Sequence, residues 1–112
     1  MKNDPETYLQ HTLDSIKRIK QYTKNMDKPE FIENELVRDG VVRNIEIIGE
    51  AAKNLPKNFK EKHPEIPWKD IIGMRDRIVH FYFGLDFELV WSTVKTDIPE
   101  LEKQISKLSA NK

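Results

Sequence analysis

Val41, Ile45, Ile48, Ala52 and Leu55 follow one another at intervals of 4, 3, 4 and 3 residues. That spacing aligns five apolar side chains along one face of an α-helix, whereas in a strand it would scatter them over both faces. Such a line is the seam of a helical bundle. No segment alternates apolar and polar residues with period two, so strands are not expected and the fold class is all-α. A packed fold is within reach: Leu, Ile, Val and Phe make up 31 of 112 residues, about 28% of the chain, where disordered chains usually fall below about 20%. The length suits one hydrophobic core, so residues 1–112 read as a single domain.

Punctuation divides the chain into four main helices. Asp4-Pro5-Glu6 reads as an N-cap with proline in the first turn. Leu9, Leu13, Ile16 and Ile19 then share one face of a first helix over about 5–24. Asn25-Met26-Asp27 is a break, and Asp27 with Glu30 resembles a capping box. A second helix carries Ile32, Leu36 and the 41–55 seam, with a kink expected near Gly40, because glycine costs about 1 kcal/mol inside a helix. Ile47 and Ala51 give it a second apolar edge, and Gly49, Ala51 and Ala52 admit a close neighbour. Residues 56–67 hold three prolines and form a connector with one short helical turn. Trp68 begins a third helix, apolar around most of its circumference through Trp68, Ile71, Ile72, Met74, Ile78, Val79, Phe81 and Tyr82, and closed by Gly84. Asp86 caps a fourth helix, which Pro99 should kink.

Composition excludes several functions. There is no cysteine, hence no disulfide framework, thiolate zinc site or cysteine nucleophile. The three histidines, at 11, 63 and 80, lack a ligand spacing such as HExxH, so no metal or other cofactor is expected. No apolar run approaches the roughly 20 residues of a membrane span, and the first ten residues contain no apolar signal core. The expected location is cytoplasmic. Nineteen basic side chains match nineteen acidic ones and are balanced along the chain, so nucleic acid would be handled through a small local site rather than a basic coat. Lys17, Arg18, Lys20 and Lys24 read as a solvated helix face.

The candidate site is the run Gly73-Met74-Arg75-Asp76-Arg77-Ile78-Val79-His80-Phe81-Tyr82. Ionisable groups on a mostly buried helix are costly unless paired or used. Asp76 and His80 are i, i+4 neighbours, a spacing that lets a carboxylate fix an imidazole tautomer. Arg75 and Tyr82 share a face. Arg75 and His80 lie about 140° apart around an ideal helix, so a single straight helix cannot aim both at one atom. Either Arg75 reaches around, the helix loosens before Gly84, or a second subunit completes the site. Taken on residues alone, the cluster fits a catalytic centre or a set of polar groups satisfied within a core.

Arg75, polar Asp76, three residues and His80 resemble the Arg–polar–x3–His signature of the HEPN superfamily. With Tyr82 the pattern is Arg-x4-His-x-Tyr, as in HepT-like toxins. The segments Arg43–Lys53 and Ile66–Arg75 match the same family in order and distance, and the resemblance runs from Tyr8 to about Leu101. It implies an antiparallel four- to five-helix HEPN bundle that is homodimeric, with both copies of Arg75 and His80 in one cleft at the twofold axis. The implied activity is that of a metal-independent endoribonuclease toxin of a prokaryotic toxin–antitoxin pair. In it His80 serves as general base or acid, Arg75 holds the scissile phosphate and Asp76 orients His80. Imidazoles ordinarily titrate near neutrality, which suits that role. The implied partner is a minimal nucleotidyltransferase antitoxin of MntA type, and Tyr82 the residue it would modify with AMP. The alternative is a non-catalytic HEPN subunit that binds a nucleotide or the nucleotidyltransferase. Arg77 reads either as an RNA contact or as the partner of a surface carboxylate. Arg43, Glu46 and Glu50 read as solvated groups or as supports of the cleft, and Trp68 and Trp91 as packing residues.

Overall fold

The computed structural model describes residues 4–81 and 86–110. Tyr82 and the expected helix stop at Gly84 lie outside the described residues, as do the side chains of Val79 and Phe81. The described chain is helical throughout its regular structure: α1 (Pro5–Tyr22), α2 (Lys28–Glu33), α3 (Glu35–Asn54), α4 (Lys57–Lys62), α5 (Trp68–Phe81), α6 (Phe87–Ser92) and α7 (Ile98–Ala110), with a π-helical turn at Thr93–Asp97 joining the last two.

Four long rods form the bundle. α3 packs against both α1 and α5, and α7 packs against α1. Direction follows from which ends meet. Tyr22, at the end of α1, lies over Gly40 early in α3. Leu9, near the start of α1, lines a small internal void with Ile48, Ala52 and Leu55, beside Trp68 and Ile71 at the start of α5. Neighbouring rods are therefore antiparallel. The 41–55 seam forms the centre: Val41, Ile45, Ile48, Ala52 and Leu55 are at most 4% exposed. Leu9, Ile16 and Ile19 from α1, Ile71, Met74 and Ile78 from α5, and Ile98, Leu101 and Ile105 from α7 complete the core. Each large side chain so buried stabilises by about 1.5–3 kcal/mol, an upper figure because unfolded chains are partly compact.

The helix boundaries have local causes. Asp4 accepts from Glu6 N–H at 3.0 Å, with Pro5 in the first turn. α1 stops at Tyr22, two residues earlier than expected, and Asn25 turns the chain with a left-handed φ of 61°, a conformation asparagine tolerates. Asp27 and Glu30 form the expected capping box, each side chain accepting from the other's backbone N–H at 2.9 Å. Pro99 acts upstream of itself. It offers no N–H to the carbonyl four residues back, and the helix widens into the π turn just before it.

One boundary corrects the sequence reading. The second helix stays continuous through Gly40, and a break falls at Asn34. Asn34 ends α2 in an extended conformation (φ −100°, ψ 93°) and caps α3, its side chain accepting from Val37 N–H at 3.0 Å. Arg38 donates back to the carbonyl of Ile32 and stacks over Phe87, 4.1 Å from the ring centroid. Gly40 stays helical, and its missing side chain makes room for Tyr22. Leu36 precedes Val41 by an angle of about 140° around α3, which puts it off the seam, and it stands 83% exposed.

Both tryptophans are packing residues. Trp91 stacks on Phe31 at 5.1 Å between ring centroids, fixing α2 on α6. Trp68 donates its indole N–H to the carbonyls of His63 (3.0 Å) and Lys60 (3.2 Å), which ties α4 to the start of α5. Among the described residues no helix is long and apolar enough to cross a membrane. Asn34→Ala should lower unfolding free energy by about 1 kcal/mol through the lost cap, and Leu36→Ala should stay within about 0.5 kcal/mol of the parent. Urea unfolding of the two variants measures both.

Candidate functional site

α5 begins after Pro67, whose carbonyl accepts from Ile71 N–H at 3.0 Å. Ile71, Met74 and Ile78 recur at 3 and 4 residues and bury the inner face of the helix. The polar cassette is thus carried on a rod whose rotation is set by the core. Arg75 follows Met74 by about 100°, which turns it toward α3. There α3 has Gly49, and the two helices touch: a methyl group at Gly49 would fall on the Cβ and Cγ of Arg75. The aliphatic stem of Arg75 lies flat on the α3 backbone.

The guanidinium is bracketed by carboxylates. Arg75 Nη1 donates to Asp76 Oδ1 at 2.9 Å. On the other side Nη2 lies 3.6 Å from Glu50 Oε2. Nε is shielded from solvent and has no hydrogen-bond partner. The pKa of Arg75 is raised above the ordinary arginine value, first by the hydrogen bond to Asp76. Partial burial opposes the shift, and the charges of Asp76, Glu50 and Glu46 reinforce it. The side chain is 25% exposed, against 58% for Asp76 and 51% for Glu50. It is a cation with an anchored stem and an open outer edge.

The remaining cassette residues fan out around α5. His80 is exposed in the last turn. It lies about 40° from Asp76 and about 140° from Arg75 by helical phase, so Asp76 and His80 share the outer face. Asp76 is in contact with Arg75, and His80 stands one helical turn further on, at the i, i+4 spacing. Arg77 projects across the helix from Arg75. Its Nη1 lies beside Gly73, and it lines a groove of about 310 Å³ between α5 and α7 with Asp70, Asp97 and Glu100. That surrounding suits the carboxylate-partner reading of Arg77. Tyr82 lies outside the described residues. Among the described residues no three His, Asp or Glu side chains converge into a group able to hold a metal ion.

Sequence reasoning caught Gly49 as a point of close approach but did not identify what approaches. Glu50, read as a solvated group or a support of the cleft, is exposed and lies beside Arg75. The available signal was a glycine in mid-helix followed by a carboxylate, a costly choice unless a neighbour needs the space.

The arrangement defines a helical bundle with a guanidinium and an imidazole on one helix, α5, packed against the central α3. A family model described as "Ribonuclease HepT-like" matches residues 12–108, and the chain belongs to that family. Among similar proteins is "Gamma-glutamylcyclotransferase and putative RNase MJ0434" of Methanocaldococcus jannaschii, 47% identical over 96% of this chain; the chain spans about half of that relative, 49% of its length. "Putative RNase TTE0752" of Caldanaerobacter subterraneus subsp. tengcongensis is 43% identical over 93% of both chains. "Probable ribonuclease HepT" of Thermococcus cleftensis is 42% identical over 96% of this chain and 98% of its own. No solved structure matches the chain.

Gly49→Ala tests the helix contact directly. The added methyl must push α3 and α5 apart or displace the base of the Arg75 side chain, so unfolding free energy should fall by about 1–3 kcal/mol, read by denaturant titration.

Proposed function

We propose that this chain is a metal-independent endoribonuclease, the toxin of a prokaryotic HepT/MntA-type pair. The observation that carries the reading is an arginine with an anchored stem and open guanidinium edge, set on the same helix as an exposed histidine, in a chain of the HepT-like ribonuclease family.

The chemistry follows from those two groups. A base takes the proton of the ribose 2′-hydroxyl, and the 2′-oxygen attacks phosphorus. The P–O5′ bond breaks, and the leaving 5′-oxygen takes a proton from an acid. The products are a 2′,3′-cyclic phosphate and a 5′-hydroxyl. Imidazole can serve as either base or acid. Arg75 holds the phosphate and offsets the charge that builds on its non-bridging oxygens. Its separation from His80 of about 140° is bridged when two copies meet across a twofold axis, so that each cleft draws on both chains. Asp76, also in contact with Arg75, orients His80 from one helical turn away, at the i, i+4 spacing. Modification of Tyr82 by AMP from the antitoxin would add a phosphate and bulk beside Arg75 and block the cleft. The setting is the cytoplasm.

The carboxylates around Arg75 favour one other reading. Asp76, Glu50 and Glu46 already offset its charge, as they would in a non-catalytic subunit that binds a nucleotidyltransferase or a nucleotide. Growth arrest on expression alone separates the two: the toxin arrests growth and the helper does not.

Purified protein should cleave single-stranded RNA in EDTA and leave cyclic phosphate ends. Arg75→Ala and His80→Ala should each slow cleavage at least about 100-fold, with the dimer intact by light scattering. Full activity in both variants removes the site assignment. Mass spectrometry after incubation with the nucleotidyltransferase and ATP should place AMP on Tyr82.

A further inference from the structure

We propose that Glu50 is a positioning residue for Arg75, holding the guanidinium from the side opposite Asp76 while Gly49 admits its stem. The inference rests on the nuclease reading for its consequence and on α3–α5 geometry for its cause.

An arginine presents its N–H groups as a flat fork, and a phosphate is gripped well only when that fork is correctly rotated. Three constraints set the rotation here. The stem is pressed against α3 at Gly49, where no Cβ intervenes. Asp76 Oδ1 accepts from Nη1 at 2.9 Å. Glu50 Oε2 stands 3.6 Å from Nη2. Asp76 rides on α5 beside Arg75, so by itself it ties the fork only to its own helix. Glu50 lies on α3 and references the fork to the bundle. With Nε enclosed against the protein, the N–H groups left for an incoming phosphate are on the outer Nη edge. Both carboxylates are more than half exposed, so water weakens their pull and an anion can share the fork with them.

This arrangement separates orientation from attraction. Removing the Glu50 charge makes the surroundings of Arg75 more positive, which favours a polyanion, and at the same time releases the fork. Glu50→Gln keeps the size of the side chain and should therefore lower kcat for RNA cleavage about tenfold without raising KM. A merely structural role would lower the melting temperature and move no ratio of kcat to KM. In an Arg75→Lys background, where a point charge replaces the fork, the same substitution should change kcat less than about twofold.

Steady-state kinetics of the two single variants and the double variant, with 15N spectra of the arginine side chains, make the test. The expected spectrum has distinct Nη protons for Arg75 in the parent and averaged ones in Glu50→Gln. Unchanged kcat in Glu50→Gln, equal losses in both backgrounds, or a raised KM with kcat intact overturns the proposal. If the parent cleaves no RNA, the nuclease reading falls separately, and the spectra alone decide positioning: an Arg75 signal indifferent to Glu50→Gln rejects it.

Discussion

α3 and α5 come together where a glycine meets the base of an arginine. Everything proposed for the site depends on it. Apolar side chains elsewhere hold helices apart at the usual distance of about 8–10 Å. At Gly49 the α3 backbone itself is the surface that Arg75 touches. A longer-reaching arginine on a wider interface would keep its charge and lose its aim. The cost of a mid-helix glycine, about 1 kcal/mol, is set here against the fixing of Arg75, a half-buried side chain whose stem lies on α3.

The core and the cassette share a rod. Ile71, Met74 and Ile78 set the rotation of α5, and Arg75, Asp76, Arg77 and His80 then take their directions from helical phase. Arg75 is turned onto α3, Arg77 toward the groove against α7, and Asp76 and His80 outward. The divergence of Arg75 from His80, about 140°, comes from their spacing along the helix, and packing decides that Arg75 is the one laid on α3. Surface charge adds little: ion pairs such as Lys20–Glu102 at 3.0 Å and Lys28–Glu88 at 3.7 Å are solvated and worth about 0–1 kcal/mol each.

Much of this was legible in the residues, for identifiable reasons. The 41–55 seam, the Asp27 box, the Asp86 cap and the disturbance before Pro99 each follow from a rule local to one helix turn. The break at Asn34 combines a local cap, its side chain accepting from Val37 N–H at 3.0 Å, with a contact that crosses between helices. Arg38 takes up the Ile32 carbonyl and lies on Phe87 from α6, and Tyr22 from α1 covers Gly40. Propensity allowed a kink at the glycine, whereas the chain interrupts its helix at Asn34. The contact of Asp76 with Arg75 was not legible, because sequence spacing says nothing of how the fixed stem of Arg75 brings a guanidinium nitrogen to 2.9 Å.

The π turn at Thr93–Asp97 has a consequence for the wall opposite the site. One surplus residue per turn rotates everything downstream by roughly a quarter of a circle or slightly more. The stretch from Phe87 to Ala110 is thus one length of helix speaking in two registers. Ahead of the turn it addresses α2 through Trp91, and behind it α1 and the α5 groove through Leu101 and Gln104. A single strut braces both ends of the molecule without a loop, and any insertion or deletion inside that turn would leave one of its two audiences facing the wrong side chains.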